Sequence, residues 1–240
     1  MSDAQLYDEA GRQAALDRYA VLDTSPDTRF DRITALVRAV FDVPIAVVSL
    51  IDRERQWFKS CDGLDVRETA RGISFCTHTI RQRTPLIVAD ALTDARFRDS
   101  SLVTGPPHIR SYAGMPLSTP DGYNVGSLCA IDRVPRNFSP EQISMLRDFG
   151  QLVVAELELR QIAQSDFLTG ALSRRAFVAR LDDAVTRHDR DAALVMFDID
   201  HFKSINDRFG HTTGDEVLKR IAKCCNDTLR SGDSFGRLGG

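Results

Sequence analysis

The 240-residue chain has no apolar run approaching the roughly 18–20 residues that a membrane-spanning helix needs. It has no surplus of positive charge: 31 Lys and Arg against 34 Asp and Glu give a net charge of -3. There is thus no global basic surface for nucleic acid or anionic lipid. The first ten residues lack the basic start and apolar core of a signal peptide. The five cysteines are odd in number and none forms a CxxC pair, so neither a disulfide framework nor a zinc site is suggested. These absences lead us to expect a cytoplasmic, reduced protein with no nucleic-acid and no membrane partner.

What is present is ordinary for a folded chain, with 42% hydrophobic and 27% charged residues, and the length allows one or two domains. The stretch with most chemistry is 192–218. Ala192 to Phe197 is an apolar run that predicts a buried strand. It ends at Asp198 and Asp200, which on a strand share a face. Two such carboxylates suit a hard cation such as Mg²⁺, although capping or surface roles are the commoner fate of an isolated D-x-D. Gly210-His211 and Gly214-Asp215 then read as turns, followed by helical spacing at Val217, Leu218, Ile221 and Ala222.

Earlier in the chain, Ala15, Leu16, Tyr19 and Ala20 predict a helix over 12–22, and Phe30, Ile33, Leu36, Val37 and Val40 an amphipathic one. Pro44 to Ile51 and Gln56 to Lys59 read as a hairpin, and Pro85 to Ala89 as a strand. Tyr112–Leu117 and Val125–Ile131 pair across Asp121-Gly122. The pattern predicts an α+β sandwich of about five or six strands with helices on one side.

The segments Pro44–Asp52, Arg55–Ser60, Ser74–His78, Tyr112–Leu117 and Gly126–Asp132 resemble a GAF domain. The resemblance covers about residues 12–160 and implies an antiparallel-sheet sensory domain, assigned here to 1–137 with its core at about 12–137. Such domains bind small molecules or act as dimerising spacers. The ligand is unknown. Pocket candidates are Trp57, Arg71, Cys76, His78, Asp90 and Tyr112, each with a plainer alternative. Trp57 suits core packing, and Cys76 a small buried hydrophobe. Arg71 suits either an anionic ligand or an ion pair. Cys76 and His78 are not the adjacent Cys-His pair of bilin-binding relatives, because Thr77 intervenes. Cys61 and Cys129 carry no separate signal.

Residues 138–165 are predicted to form a connecting signalling helix. Ser139, Pro140 and Gln142 have the residue types of a capping box. Ile143, Leu146, Gly150, Val153 and Leu157 form a heptad-like stripe. That stripe fits either a homodimer seam or packing on the chain's own sheet, and Glu156 to Gln164 is too polar for core.

Asp166–Arg175 (D-x-L-T-G-x-x-x-R-R) and 198–218 (D-I-D-x-F-K-x-I-N-D-x-x-G-H-x-x-G-D-x-V-L) resemble the first half of a GGDEF domain, the diguanylate cyclase family. The resemblance implies a palm-like, nucleotidyl-cyclase-like α/β fold over 166–240. It also implies joining of two GTP into cyclic diguanylate with loss of two pyrophosphates, by a homodimer using Mg²⁺ or Mn²⁺. By motif position, Asp198 and the Ile199 carbonyl hold the metal, and Lys203 lies near the phosphates as the catalytic candidate. Asn206 and Asp215 read the guanine edge, and His211 is a further substrate candidate. Arg230 and Asp233 match an R-x-x-D site that binds cyclic diguanylate as inhibitor. Asp200 is read as structural, and Cys224-Cys225 as packing. The sequence given reaches the two signature glycines, Gly239-Gly240, and not the acidic residues expected after them. A polypeptide of these 240 residues is accordingly expected to lack cyclase activity. The alternative is a non-enzymatic GAF sensor or dimerisation module with a vestigial tail.

Overall fold

The computed structural model describes residues 3–186, 193–230 and 232–239. It divides into two compact units, residues 1–158 and 159–240. In the first, helices α1 (Glu9–Arg18) and α2 (Thr28–Phe41) precede strands β1 (Ile45–Ile51), β2 (Arg55–Asp62) and β3 (Glu68–Ala70). Helix α3 (Phe75–Thr79), β4 (Leu86–Val88), α4 (Ser101–Thr104), β5 (Ser111–Ser118) and β6 (Asn124–Asp132) follow, then the long helix α5 (Pro140–Gln164). The six strands form one antiparallel sheet in the order β3-β2-β1-β6-β5-β4.

Strand β1 is buried throughout, because both of its faces are covered. Ala46, Val48 and Leu50 face one core with Phe30, Ile33, Val37 and Phe41 of α2 and Leu146, Val153 and Leu157 of α5. Ile45, Val47 and Ile51 face a second core with Phe75, Cys76, Ile80, Phe97 and Val103. Helices on one side only is therefore an expectation the structure corrects. The short helices α3 and α4 with their loops close the other face. Each fully buried Val, Leu, Ile or Phe contributes about 1.5–3 kcal/mol, so both layers matter to the stability of the unit.

The capping box forms: the Gln142 N–H donates to Ser139 Oγ (3.2 Å), and the Ser139 N–H to Gln142 Oε1 (2.9 Å). The stripe Leu146, Gly150, Val153 and Leu157 is buried in the unit's own core, which corrects the homodimer-seam reading of those residues. Glu156 pairs with Arg29 at 2.5 Å, and Tyr19 donates its hydroxyl to Glu158. On α2, Leu36 and Val40 point to solvent rather than completing the expected apolar face.

In the second unit, β7 (Leu172–Ser173) pairs in parallel with β8 (Gly236–Arg237), and α6 (Arg174–Thr186) follows β7. Helices α7 (Phe202–Phe209) and α8 (His211–Thr228) form a hairpin at Gly210, whose φ of +83° favours glycine. The expected strand over 192–197 is a correction. Ala192 lies outside the described residues, and 193–199 is irregular, with Val195 81% exposed. No described strand pairs with it, and an unpaired run keeps its backbone groups in water. Cys224 is exposed rather than packed.

Candidate functional site

The motifs of the second unit make several local arrangements. At the D-x-L-T-G turn, Asp166 Oδ1 accepts from the Thr169 N–H (2.9 Å) and hydroxyl (2.6 Å), and from Arg237 of β8 (3.1 Å). Burial opposes the Asp166 charge, yet the Thr169 and Arg237 contacts outweigh it and hold the carboxyl below its usual range. Gly170, at φ +69°, closes this turn. These residues fasten the start of the unit to β8, a positioning task.

A further arrangement is the α7–α8 corner. A Cβ on Gly214 would lie 1.9 Å from Asn206 Oδ1, so only glycine lets the Asn206 side chain seat there. Gly214 is buried, while its neighbour Asp215 is exposed. Asn206 and Asp215 thus come to one corner, where the carboxylate is open to solvent and the amide is half-buried. His211 begins α8 and Lys203 lies in the first turn of α7, both exposed.

Asp198 is exposed and accepts from the Ile199 N–H at 2.8 Å, and the Ile199 carbonyl accepts from the Phe202 N–H at 3.3 Å. A carboxylate and a backbone carbonyl side by side are the hard oxygen donors that a Mg²⁺-like cation takes, alongside substrate phosphates. The donor chemistry therefore fits, although no group of three or more metal-ligating side chains occurs among the described residues. Arg230 and Asp233 close a turn on each other: the Arg230 N–H donates to Asp233 Oδ2 (3.1 Å), and the Asp233 N–H to the Arg230 carbonyl (3.0 Å).

In the first unit the six pocket candidates do not converge. Trp57 lies in the core on the α2–α5 side of the sheet. Arg71 is tied to Glu9 (2.7 Å) and to the carbonyls of Asp52 and Arg53. Asp90 accepts a bidentate pair from Arg110 (2.9 and 2.8 Å), which lowers its pKa. Cys76, His78 and Tyr112 are on the opposite side of the sheet from Trp57. His78 meets the Phe97 ring edge at 4.9 Å and lines a surface cleft of about 480 Å³ with Gly72, Arg96 and Ser100. Burial and the charges of Arg81 and Arg96 lower its pKa.

Cys76 and Tyr112 meet residues that sequence reading passed over. Cys76 Sγ is 3.3 Å from Cys129 Sγ, and the Tyr112 hydroxyl lies 3.5 and 3.3 Å from the two sulfurs. Thr79 Oγ1 (2.7 Å) holds that hydroxyl, Gln56 donates to Cys76 (3.4 Å), and Ser127 contacts Cys129 (3.1 Å). The available signal was the alternation of β6, which places Ser127 and Cys129 on one face.

Comparison with known proteins matches the description "GAF domain" over residues 25–157, more than half of the chain, and "Diguanylate cyclase, GGDEF domain" over 163–240. A cyclic di-GMP phosphodiesterase of Pseudomonas aeruginosa is 42% identical over 195 residues, 80% of this chain and 33% of that protein. The diguanylate cyclase DgcP of Escherichia coli is 35% identical over 149 residues, 55% of this chain and 44% of that protein. The chain therefore spans between a third and a half of the length of these relatives. Among solved structures, the GAF domain of an Acinetobacter phosphoenolpyruvate-protein phosphotransferase aligns with a TM-score of 0.48 at 16% identity, over 68% of this chain and 97% of that one. A six-stranded antiparallel sheet with a long closing helix, a D-x-L-T-G turn clasped to β8 and the two family matches lead to one conclusion: the chain belongs to the GAF–GGDEF family.

Proposed function

We propose that the chain is the sensory and nucleotide-binding part of a cyclic diguanylate signalling protein, in which the GAF unit regulates a GGDEF unit that takes GTP. The observation that carries this reading is the α7–α8 corner, where Gly214 admits Asn206 beside the exposed Asp215. A carboxylate there accepts from guanine N1–H and N2–H₂, a donor pair that adenine lacks, and the Asn206 amide supplies a further hydrogen bond. Lys203 offers positive charge to the phosphates, and Asp198 with the Ile199 carbonyl would hold the cation. A bound divalent cation supplies neutralisation of the triphosphate.

The reaction of the family is the head-to-tail joining of two GTP in a homodimer. Residues 1–240 supply the guanine-reading and first cation-binding groups, and for a polypeptide of these residues we expect GTP binding without turnover. A second reading is favoured by the phosphodiesterase relative: the same corner binds GTP as a regulatory nucleotide and joins nothing. Arg230 and Asp233 are proposed to bind cyclic diguanylate.

Calorimetric titration with GTP and Mg²⁺ tests the binding reading. GTP should bind at least ~10-fold more tightly than ATP, and Asp215→Ala should remove most of that preference, because lost hydrogen bonds to a charged group are worth about 1.5–3 kcal/mol. Equal affinity for GTP and ATP in the unmodified chain would overturn the assignment. Cyclic diguanylate formed above a no-protein control, and abolished by Asp198→Ala, would overturn the no-turnover expectation while leaving the binding corner intact.

A further inference from the structure

The buried sulfur cluster of the GAF unit is unused by the nucleotide chemistry. Cys76, on α3, and Cys129, on the central strand β6, are 53 residues apart in sequence, yet their sulfurs touch at 3.3 Å. Both are essentially without solvent exposure. Two inert thiols would need only apolar neighbours, and these have hydrogen-bonding ones. The Gln56 amide donates to Cys76, the Tyr112 hydroxyl lies within 3.5 Å of both sulfurs, and Ser127 lies against Cys129. Thr79 fixes the Tyr112 hydroxyl from the far side. Donors aimed at sulfur favour the thiolate, the form that reacts.

From this geometry we propose that Cys76 and Cys129 are a redox site, oxidised to a disulfide by a hydroperoxide small enough to enter beside α3. This goes beyond the nucleotide reading and does not depend on it. The sulfurs need to approach by just over ~1 Å to reach bonding distance, and the cysteine on the five-residue helix α3 is the one placed to move. The surface cleft lined by Gly72, Ile73 and His78 opens beside the same helix. His78 faces that cleft, whereas Cys76, two residues away on α3, faces the core, so the peroxide reaches the sulfur when this short helix shifts.

Burial opposes charge on all the groups of the cluster. At Cys76 the hydrogen bonds from Cys129, Ser127 and Tyr112 outweigh it and favour the thiolate, whereas Cys129 and Tyr112 are pushed up. The geometry agrees: the Gln56 amide and the Tyr112 hydroxyl both donate to Cys76 Sγ, which makes Cys76 the attacking sulfur. Its thiolate attacks one peroxide oxygen; the S–O bond forms, the O–O bond breaks, and the leaving oxygen takes a proton to depart as water or an alcohol. The Cys129 sulfur then attacks the Cys76 sulfenic acid. The S–S bond forms, the S–O bond breaks, and hydroxide leaves as water with the Cys129 proton. Two thiols lose two electrons and two protons, and the hydroperoxide is reduced by the same two electrons. The product ties α3 to the middle of the sheet. Cys61 provides an internal control: burial raises its thiol to about 11, and its sulfur donates to the Leu64 carbonyl.

The test uses the unmodified chain. Reduced protein is exposed to graded hydrogen peroxide, alkylated in denaturant, digested and mapped without reduction. The expected result is a linked peptide pair carrying Cys76 and Cys129, lighter by about 2 Da than the two thiol peptides. It should form while Cys61 is still fully alkylated and be reversed by dithiothreitol. In Cys129→Ala the expected product is a dimedone adduct on Cys76. Folded protein in which Cys76 and Cys129 remain alkylated after Cys61 has been oxidised would overturn the proposal. So would conversion of Cys76 to a sulfinic acid with no linked pair. A dimedone adduct on Cys129 in Cys76→Ala, with none on Cys76 in Cys129→Ala, would overturn the order of attack.

Discussion

Two apolar runs look alike in sequence and behave oppositely. Ile45–Ile51 is the buried strand β1, whereas 193–199, equally apolar up to Phe197, forms no strand and lies largely exposed. Side-chain preference does not separate Val47-Val48 from Val195-Met196. Partners do. β1 has β2 on one edge and β6 on the other, with a core against each face. The 193–199 run has no ladder partner among the described residues, and its nearest ordered aromatic contact is Phe197 stacked on Phe235 at 6.2 Å. A strand is a property of the sheet that receives it.

The sharpest way to break this comparison is to place a charge in each run. Val48→Asp buries an unpaired carboxylate and should cost more than ~4 kcal/mol, enough to abolish cooperative urea unfolding of the GAF unit. Val195→Asp should shift stability by less than ~0.5 kcal/mol. Equal costs would mean that 193–199 is buried too.

Next in size is the long helix, which carries both situations on one element. Leu146 is fully buried and Leu152 is 55% exposed. Leu146→Ala should cost about 2–5 kcal/mol, and Leu152→Ala within about 0.5 kcal/mol in the isolated chain, both read by urea denaturation. A large concentration-dependent loss for Leu152→Ala would show that this face is covered in an oligomer.

Smaller still are the helix starts. Ser139→Ala removes a reciprocal capping box and should cost about 1 kcal/mol. His201, before α7, caps with no side-chain hydrogen bond and sits at φ +58°. His201→Gly should therefore be neutral or stabilise the second unit by up to ~1 kcal/mol, read as a thermal shift.

The least is the surface acid Glu9, whose pKa falls to about 2 through hydrogen bonds from Arg12 and, secondarily, Arg71, against some burial. A lowered carboxylate contributes stability that is fully present above its unfolded value of 4.5 and is lost as pH falls towards about 2. The stability difference between the chain and Glu9→Gln should be constant above about pH 5.5, shrink as pH falls, and vanish only below about pH 2. A difference growing towards acid would reverse the assignment.

Legibility followed the same division. Strands β1, β2, β4, β5 and β6 and the capping box were readable because alternation and cap chemistry are local. The three-residue β3 was not, since its residues Glu68, Thr69 and Ala70 hold no apolar pattern and are a strand only by pairing with β2. The stripe on α5 was readable as a stripe, but its partner was not, because heptad spacing also suits packing on a sheet. In the second unit, the resemblance to the GGDEF family pointed to Asn206 and Asp215, while their meeting around Gly214 required the fold of α7 on α8. The Cys76–Cys129 contact spans 53 residues and has no local signature at all.

The central claim, that the α7–α8 corner and the Asp198 segment form one GTP-binding surface, is tested most directly by hydrogen exchange of the whole chain with and without GTP and Mg²⁺. The account predicts new protection across 198–215 on adding GTP, less at the same concentration of ATP, and fast exchange over 193–197 in the nucleotide-free chain. Unchanged exchange at 198–215 under saturating GTP would contradict it.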